Sequence, residues 1–362
     1  MQAPRNLRKL VSDPFAYLIF LLALALFSAA YQFSVPFSFT AAGPFTSLFL
    51  HGVYYKEFDK VVRFRWTDGY ARVLIRDWGA GHEASLHLRV TRWQPNDRIS
   101  DLTVFVNDVE LAEPQAAGQG WQEYALPITD PKYLTSDDLR IRLESDTFSP
   151  KAEIPGSADK RYLGVQLDRI EMWPLVRQGG NWRQVNYPVW DPFVLPPPRV
   201  VFSLAGSILL FYLGLVLFRV PRRPAFAVSA AAALGAAAIL IFARPFLPIF
   251  ATQALIVMAV SVVLGLGLRA VLPRFMAWGG VDAPASEINL LALIFAFGFL
   301  VKTAFLWYPQ MISFDLLYHV HRVQYIMEGN LFWSIPSAFN EFGGQAVPYL
   351  PSFYLFLAPF AR

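Results

Sequence analysis

Cysteine is absent from the 362 residues, which excludes a disulfide framework, a thiolate-held iron–sulfur cluster and a thiol nucleophile. Charge is sparse too, at 16% of residues, and acidic charge is confined. Of 27 Asp and Glu residues, 20 lie between Glu57 and Glu171, leaving 7 for the rest of the chain. With so little charge outside one segment, the chain cannot cover itself with a polar surface, so a wholly water-soluble protein is excluded. What fills the remainder is apolar: 55% of residues are hydrophobic, and the mean hydropathy is +0.37. The net charge of +4 comes from arginines beside apolar runs. That placement is a membrane topology signal, and nucleic acid is not an expected partner.

A spanning helix needs about 20 mostly apolar residues, because it rises ~1.5 Å per residue through ~30 Å of hydrocarbon. Five stretches qualify: 14–35, 200–218, 224–243, a stretch within 245–268, and 288–309. The fifth contains one charge, Lys302, close enough to its end for the alkyl stem to snorkel outward. A sixth apolar run covers 342–361. With the amino terminus in the cytoplasm, the inner flanks hold Arg5, Arg8, Lys9, Arg219, Arg222, Arg223, Arg269 and Arg274, whereas the outer turn after the third span holds only Arg244. The positive-inside bias selects that orientation.

The expected organisation is therefore a basic cytoplasmic start (1–13), a first helix (14–35), an extracytoplasmic region (36–198), helices two to five (199–309), an extracytoplasmic loop (310–345) and the start of a sixth helix (346–362). A rival reading treats the first span as a signal peptide, with Ser28 and Ala30 as small residues near a cleavage point. It leaves the following domain on the same side. A spanning run that ends with the chain reads as the front part of a longer polytopic protein.

Inside the polar region the pattern changes to alternation with a period of two, the mark of half-buried strands. Candidate strands are 61–66, 70–76, 84–92, 102–107, 122–127, 139–144 and 162–173; in one of them Leu139, Ile141 and Leu143 alternate with Arg140, Arg142 and Glu144. The fold class expected is mixed: a polytopic α-helical membrane protein with an inserted extracytoplasmic β-sandwich at about 48–175. Asn107–Glu110 before a loop, Gly120-Trp121-Gln122-Glu123-Tyr124, the stretch 144–150 and the stretch 159–165 together resemble the jelly-roll of galactose-binding-like and carbohydrate-binding modules. Trp78, Trp93 and Trp121 have two readings, as platforms for sugar rings or as packing aromatics. Asp159 and Arg161 read as a loop ion pair.

The second polar loop carries Ser313-Phe314-Asp315-Leu316-Leu317-Tyr318-His319-Val320-His321-Arg322. Ser313 as an N-cap predicts an interfacial helix over 314–328, stopping at Gly329-Asn330. Asp315, His319 and Arg322 are spaced four and three apart and share one face, whereas His321 points elsewhere. Such a face offers a base, an imidazole that orients it or binds metal, and a phosphate clamp. The other reading is an interfacial helix whose Asp favours the helix dipole and whose His and Arg are ordinary surface residues.

The aromatic-proline exit Trp307-Tyr308-Pro309, an isolated Asp and the interfacial helix together resemble the first external loop of polytopic GT-C glycosyltransferases. The string from Asp315 to Arg322, followed by Gly329-Asn330-Leu331-Phe332, also resembles bacterial membrane proteins named for a supposed link to 6-pyruvoyl-tetrahydropterin synthase. No pterin chemistry is inferred from that name. The resemblance implies a multi-pass protein of a bacterial plasma membrane that takes sugar from a polyprenyl-phosphate donor to an extracytoplasmic acceptor. It assigns Asp315 as catalytic base with His319 beside it, and Arg322, Lys302 and Tyr318 to substrate binding. A divalent metal on Asp315 and His319 is optional, and no other cofactor is implied. The chain departs from the family pattern in the four spans and the sandwich before the loop, in the lack of a second acidic residue beside Asp315, and in the later helices. Two other classes remain open: a non-catalytic carbohydrate-binding or envelope-assembly protein, and, with less behind it, a transporter.

Overall fold

The computed structural model describes residues 12–43, 46–115, 118–192 and 194–306. Met1–Val301 forms one compact unit, and the second unit, Lys302–Arg362, contributes only the last turn of a helix to these residues.

Five long helices carry the apolar runs: α1 (Pro14–Tyr31), α2 (Pro198–Leu217), α3 (Arg222–Phe242), α4 (Leu247–Trp278) and α5 (Ala285–Leu306). All five are long and apolar enough to cross a membrane. Large side chains on their outer faces, among them Leu21, Phe202, Leu234, Val263 and Phe297, are exposed, as expected of surfaces that meet lipid. The inward faces of α1, α2 and α3 close one cluster around Ile19, Phe27, Leu204 and Leu240. Small residues set the spacing. A Cβ on Gly265 of α4 would lie 2.4 Å from Phe218 Cζ and 3.0 Å from Ala296 Cβ of α5.

Two helix ends differ from expectation by more than three residues. The first helix stops at Tyr31 because Phe33–Ser34 (β1) pairs antiparallel with Val189–Trp190 (β12), so the chain leaving α1 is zipped to the chain approaching α2. The fourth helix runs past Arg269 and Arg274 to Trp278, about 48 Å in all, and stops at Gly279-Gly280, with Gly280 at φ +70°; within the extension Arg269 donates to the Leu217 carbonyl at the end of α2.

Between α1 and α2 lies the β-domain: β2 (Phe37–Thr40), β3 (Leu50–Phe58), β4 (Arg63–Ile75), β5 (Ala84–Thr91), β6 (Leu102–Val106), β7 (Val109–Ala112), β8 (Gln122–Ile128), β9 (Leu139–Ser145), β10 (Gln166–Gln178) and β11 (Asn181–Gln184). These ten strands form one antiparallel sheet with β7-β6-β9-β4-β10-β5-β8 as its main path. The sheet folds over at β4–β10, where only Gln166↔Trp66 and Leu167↔Arg65 pair. One half packs Val73, Ile75, Val104, Ile141 and Leu143 against Leu86, Leu88, Ile170 and Met172 of the other, giving a single core. The two facing layers expected from alternation are therefore halves of one nearly closed sheet. At the fold line the Gly164 and Thr67 backbones exchange close contacts: Gly164 N–H donates to the Thr67 carbonyl, and Val165 N–H donates to Thr67 Oγ1. A Cβ on Gly164 would meet Thr67 Oγ1 and Ser145 Oγ at 2.5 Å, so only glycine fits.

The two readings 61–66 and 70–76 prove to be one strand, β4. The Asp68-Gly69 pair that reads as a turn is an irregularity, with Gly69 at φ +90° opposite Gly52 at φ +73° on β3, where the register shifts.

Candidate functional site

The β-domain sits on the helix ends through a buried arginine. Arg244, in the turn between α3 and α4, is 1% exposed. Its Nη2 donates to the carbonyls of Ala30 (2.9 Å), Tyr31 (3.3 Å) and Phe33, the last carbonyls of α1 and the start of β1. Its Nη1 meets His82 Nε2 in a loop of the β-domain, and its guanidinium lies over the rings of Tyr31 and Trp78, 5.0 and 5.8 Å from their centroids. Phe246 continues the contact, packing edge-on against Phe49 at 5.2 Å and, with Ile249, closing the β-domain core. Burial pulls the Arg244 pKa down to about 10, so the group stays charged at neutral pH.

His82 is held neutral, its pKa well below 6.5, first by burial and then by the Arg244 charge. Its Nδ1 faces Asp191 Oδ2 at 4.0 Å. The unfolded chain takes up a proton near pH 6.5 and the folded chain resists it, so this contribution to stability is complete above about 6.5 and declines as pH falls below it. Acidification is therefore expected to loosen the β-domain by up to ~1.4 kcal/mol per pH unit below that point. H82Q, which still offers Arg244 an acceptor, should flatten the dependence. Limited proteolysis of residues 36–197 across pH reads this directly, and equal slopes in both proteins would refute it.

The opposite ends of the helices have their own lock. Asp13 is fully buried, caps α1 through Phe15 N–H (3.1 Å), accepts from Tyr212 Oη of α2 (2.9 Å) and pairs with Arg222 Nε of α3 (3.1 Å). The Arg244 set and the Asp13 set therefore mark the two faces of the bundle, and alternation of α1, α2 and α3 is fixed by contacts as well as by counting.

Beside the junction opens a cleft of about 860 Å³. Its walls are the outward faces of β4 and β9, and its lip is the Pro197-Pro198-Arg199 start of α2. Tyr70, Arg72 and Leu74 of β4 stand opposite Glu144, Arg142 and Arg140 of β9 in register. The Tyr70 ring carries the Arg72 guanidinium at 4.6 Å and that of Arg142 at 5.5 Å, while Arg142 also lies 4.0 Å from the Phe105 centroid. Arg199 pairs with Asp77, whose backbone N–H is bound by Asp138 Oδ1 at 2.9 Å. The neighbouring Asp137 has its pKa raised by burial and by Asp77 and Asp138.

The sequence-derived candidates fall in three places. Trp78 is 6% exposed, packed on His82 and Arg244, and has no free face for a sugar ring. Trp93 and Trp121 are half-buried in an aromatic cluster with Phe64, Trp66 and Phe148, where Trp121 Nε1 donates to Asp59 Oδ2 at 3.3 Å. Lys302 is exposed near the end of α5. Asp315, Tyr318, His319 and Arg322 lie outside the described residues, as does the expected helix 314–328. Among the described residues no three His, Asp or Glu side chains converge on a metal position. Asp159 and Arg161 do form an ion pair, 2.7 Å at its shortest, which Glu57 joins at 2.8 Å.

Reading residue by residue missed the cleft and the Arg244 junction. The alternating arginines of 139–144 were a visible signal for the first, whereas the partners of Arg244 all lie far from it in sequence.

No protein-family model and no curated protein matches the chain. Among solved structures, an acetyl xylan esterase (Est2A) from the rumen bacterium Butyrivibrio proteoclasticus is similar to part of it, at 12% identity and a TM-score of 0.24, over 42% of this chain and 34% of that one. The chain thus spans about a third of that structure's length, and a superposition so loose carries no argument about fold or activity. Contacts and hydropathy together make this a multi-span membrane protein with an extracytoplasmic β-domain.

Proposed function

We propose that the protein transfers sugar from a polyprenyl-phosphate donor to a glycan, lipid or protein acceptor at the extracytoplasmic face of the membrane. The observation that supports this reading is span parity. The β-domain precedes α2 and the Arg244 turn returns to it; with each of the five helices counted as one crossing, the loop expected at 310–345 is assigned to the side of the β-domain. Asp315 and the β-domain then share one compartment with an outer-leaflet donor.

In this reading the acceptor oxygen attacks the anomeric carbon as the bond to the donor phosphate breaks, and the acceptor proton passes to Asp315. His319 orients the carboxylate, and Arg322, Lys302 and Tyr318 hold the donor; a divalent ion, where used, would be held by Asp315 and His319 and would ease departure of the phosphate. One carboxylate suits a phosphate leaving group, whereas glycoside hydrolysis generally uses two. The galactose-binding-like resemblance gives the β-domain the task of presenting the acceptor.

The test is transfer of labelled sugar from lipid phosphate by membranes holding the protein. D315N should lower the rate at least about a hundredfold, or ~2.7 kcal/mol in the barrier, with insertion unchanged. R322A should chiefly raise the KM for donor. A fully active, normally inserted D315N protein overturns the assignment. A second reading, non-catalytic binding and envelope assembly, draws on the cleft itself, a site of ligand size on the wall of the β-domain.

A further inference from the structure

The cleft between β4, β9 and the start of α2 has a charge pattern that its own residues leave unfinished. Arg72 and Arg142 are direct cross-strand partners. Like charges in that position repel and are generally avoided in sheets. Arg142 has a carboxylate partner, Glu144 at 3.2 Å, whereas Arg72 and Arg76 have no ion pair among the described residues. The Tyr70 ring lies within cation–π range of both Arg72 and Arg142. Arg72 and Arg76, which both line the cleft, therefore meet the opening with donors to spare, the arrangement that recognises phosphate.

The other wall has the opposite deficit. Asp108 and Asp138 are taken up by Arg140, at 3.8 and 3.7 Å, and Asp77 by Arg199. Asp137 has no cation within ion-pair distance among the described residues and feels both Asp77 and Asp138. A ligand that satisfied only the arginines would bring a second negative charge toward this carboxylate. One that carries an ammonium beside its phosphate satisfies both walls.

Position supplies the source. Arg199 is the second residue of α2, and the Asp77 carbonyl accepts from Tyr31 Oη at 3.0 Å, Tyr31 being the last residue of α1. The lip of the cleft is thus level with two helix ends, where a bilayer places its head groups. Its volume of about 860 Å³ lies within the range of small-molecule sites.

We propose that this cleft binds a phosphoethanolamine head group of an outer-leaflet lipid, with Arg72 and Arg76 on the phosphate and Asp137 on the ammonium. The inference goes beyond the sugar-transfer reading and does not rest on it.

The full chain, purified in detergent, is mixed with phosphatidylethanolamine, phosphatidylcholine or phosphatidylglycerol, and bound lipid is counted by native mass spectrometry. Phosphatidylethanolamine should be retained about tenfold better than the other two, since choline lacks N–H donors and glycerol lacks the cation. R72Q/R76Q, at exposed positions, should lose retention of both phosphatidylethanolamine and phosphatidylglycerol. D137N should abolish the preference for ethanolamine over glycerol and leave phosphatidylglycerol binding as it was. Soluble O-phosphoethanolamine should compete only weakly. Equal retention of the three lipids, a preference that survives R72Q/R76Q, or soluble phosphoethanolamine competing as well as the lipid would each overturn the proposal.

Discussion

R244M is expected to lower the stability of the helix-bound β-domain by about 3–5 kcal/mol, the cost of removing one member of a buried polar set. Methionine keeps much of the volume but donates nothing, so the carbonyls of Ala30, Tyr31 and Phe33 and the ring nitrogen of His82 lose their shared donor together. Each buried acceptor left unpaired costs on the order of 1–3 kcal/mol, less where water reaches it. R244K should fall between, because an ammonium supplies three donors from a point and not a planar fork. Thermal unfolding of the detergent-solubilised protein, followed by protease cleavage within 36–197, measures both. An R244M protein that melts with the wild type would remove the central role given to this side chain.

Asp13 gives the second large effect, at the other face of the bundle. D13A removes the cap of α1, worth about 1 kcal/mol, and the carboxylate that accepts from Tyr212, worth ~1.5–3 kcal/mol, while leaving Arg222 without this partner. A total near 3 kcal/mol is expected. D13N keeps an oxygen for Phe15 N–H and for Tyr212 Oη, so its loss should be about half as large. Pairing D13N with R222Q should cost less than the sum of the two changes, since each removes the same ion pair. Additive losses in that cycle would show that Asp13 and Arg222 do not interact.

The five spans were legible because a membrane helix must be apolar along about 20 residues, whatever packs against it. β6, β8 and β9 were legible because one face meets the core and the other is more open, and β5 because polar and apolar residues alternate along it although both its faces are largely covered. β3 escaped notice: its exposed Tyr55 and Phe58 break the alternation, and its pairing with β4 is irregular at Gly52. Asp68-Gly69 misled for a related reason, since the same dipeptide serves tight turns and bulges and only the partner strand decides which. The Arg244 junction was illegible in principle. Its partners come from residues 30–33, 78 and 82, and nothing local in 243–246 records them. The cleft was half legible: Arg140 and Arg142 stood out, but the pairing of Arg142 with Arg72 is a matter of register, and the place of Arg199 depends on where α2 begins.

The turn between α3 and α4 also sets an order of events during biosynthesis. Every strand of the β-domain precedes α2, yet Arg244, Phe246 and Ile249 complete its lower core and satisfy its buried acceptors. A nascent chain exports the whole sheet before those residues have left the ribosome. Until two more helices have been threaded into the bilayer, Phe49, Trp78 and His82 face an empty seat. The exported sheet therefore keeps the patch at Phe49, Trp78 and His82 uncovered until the turn after α3 arrives to close it.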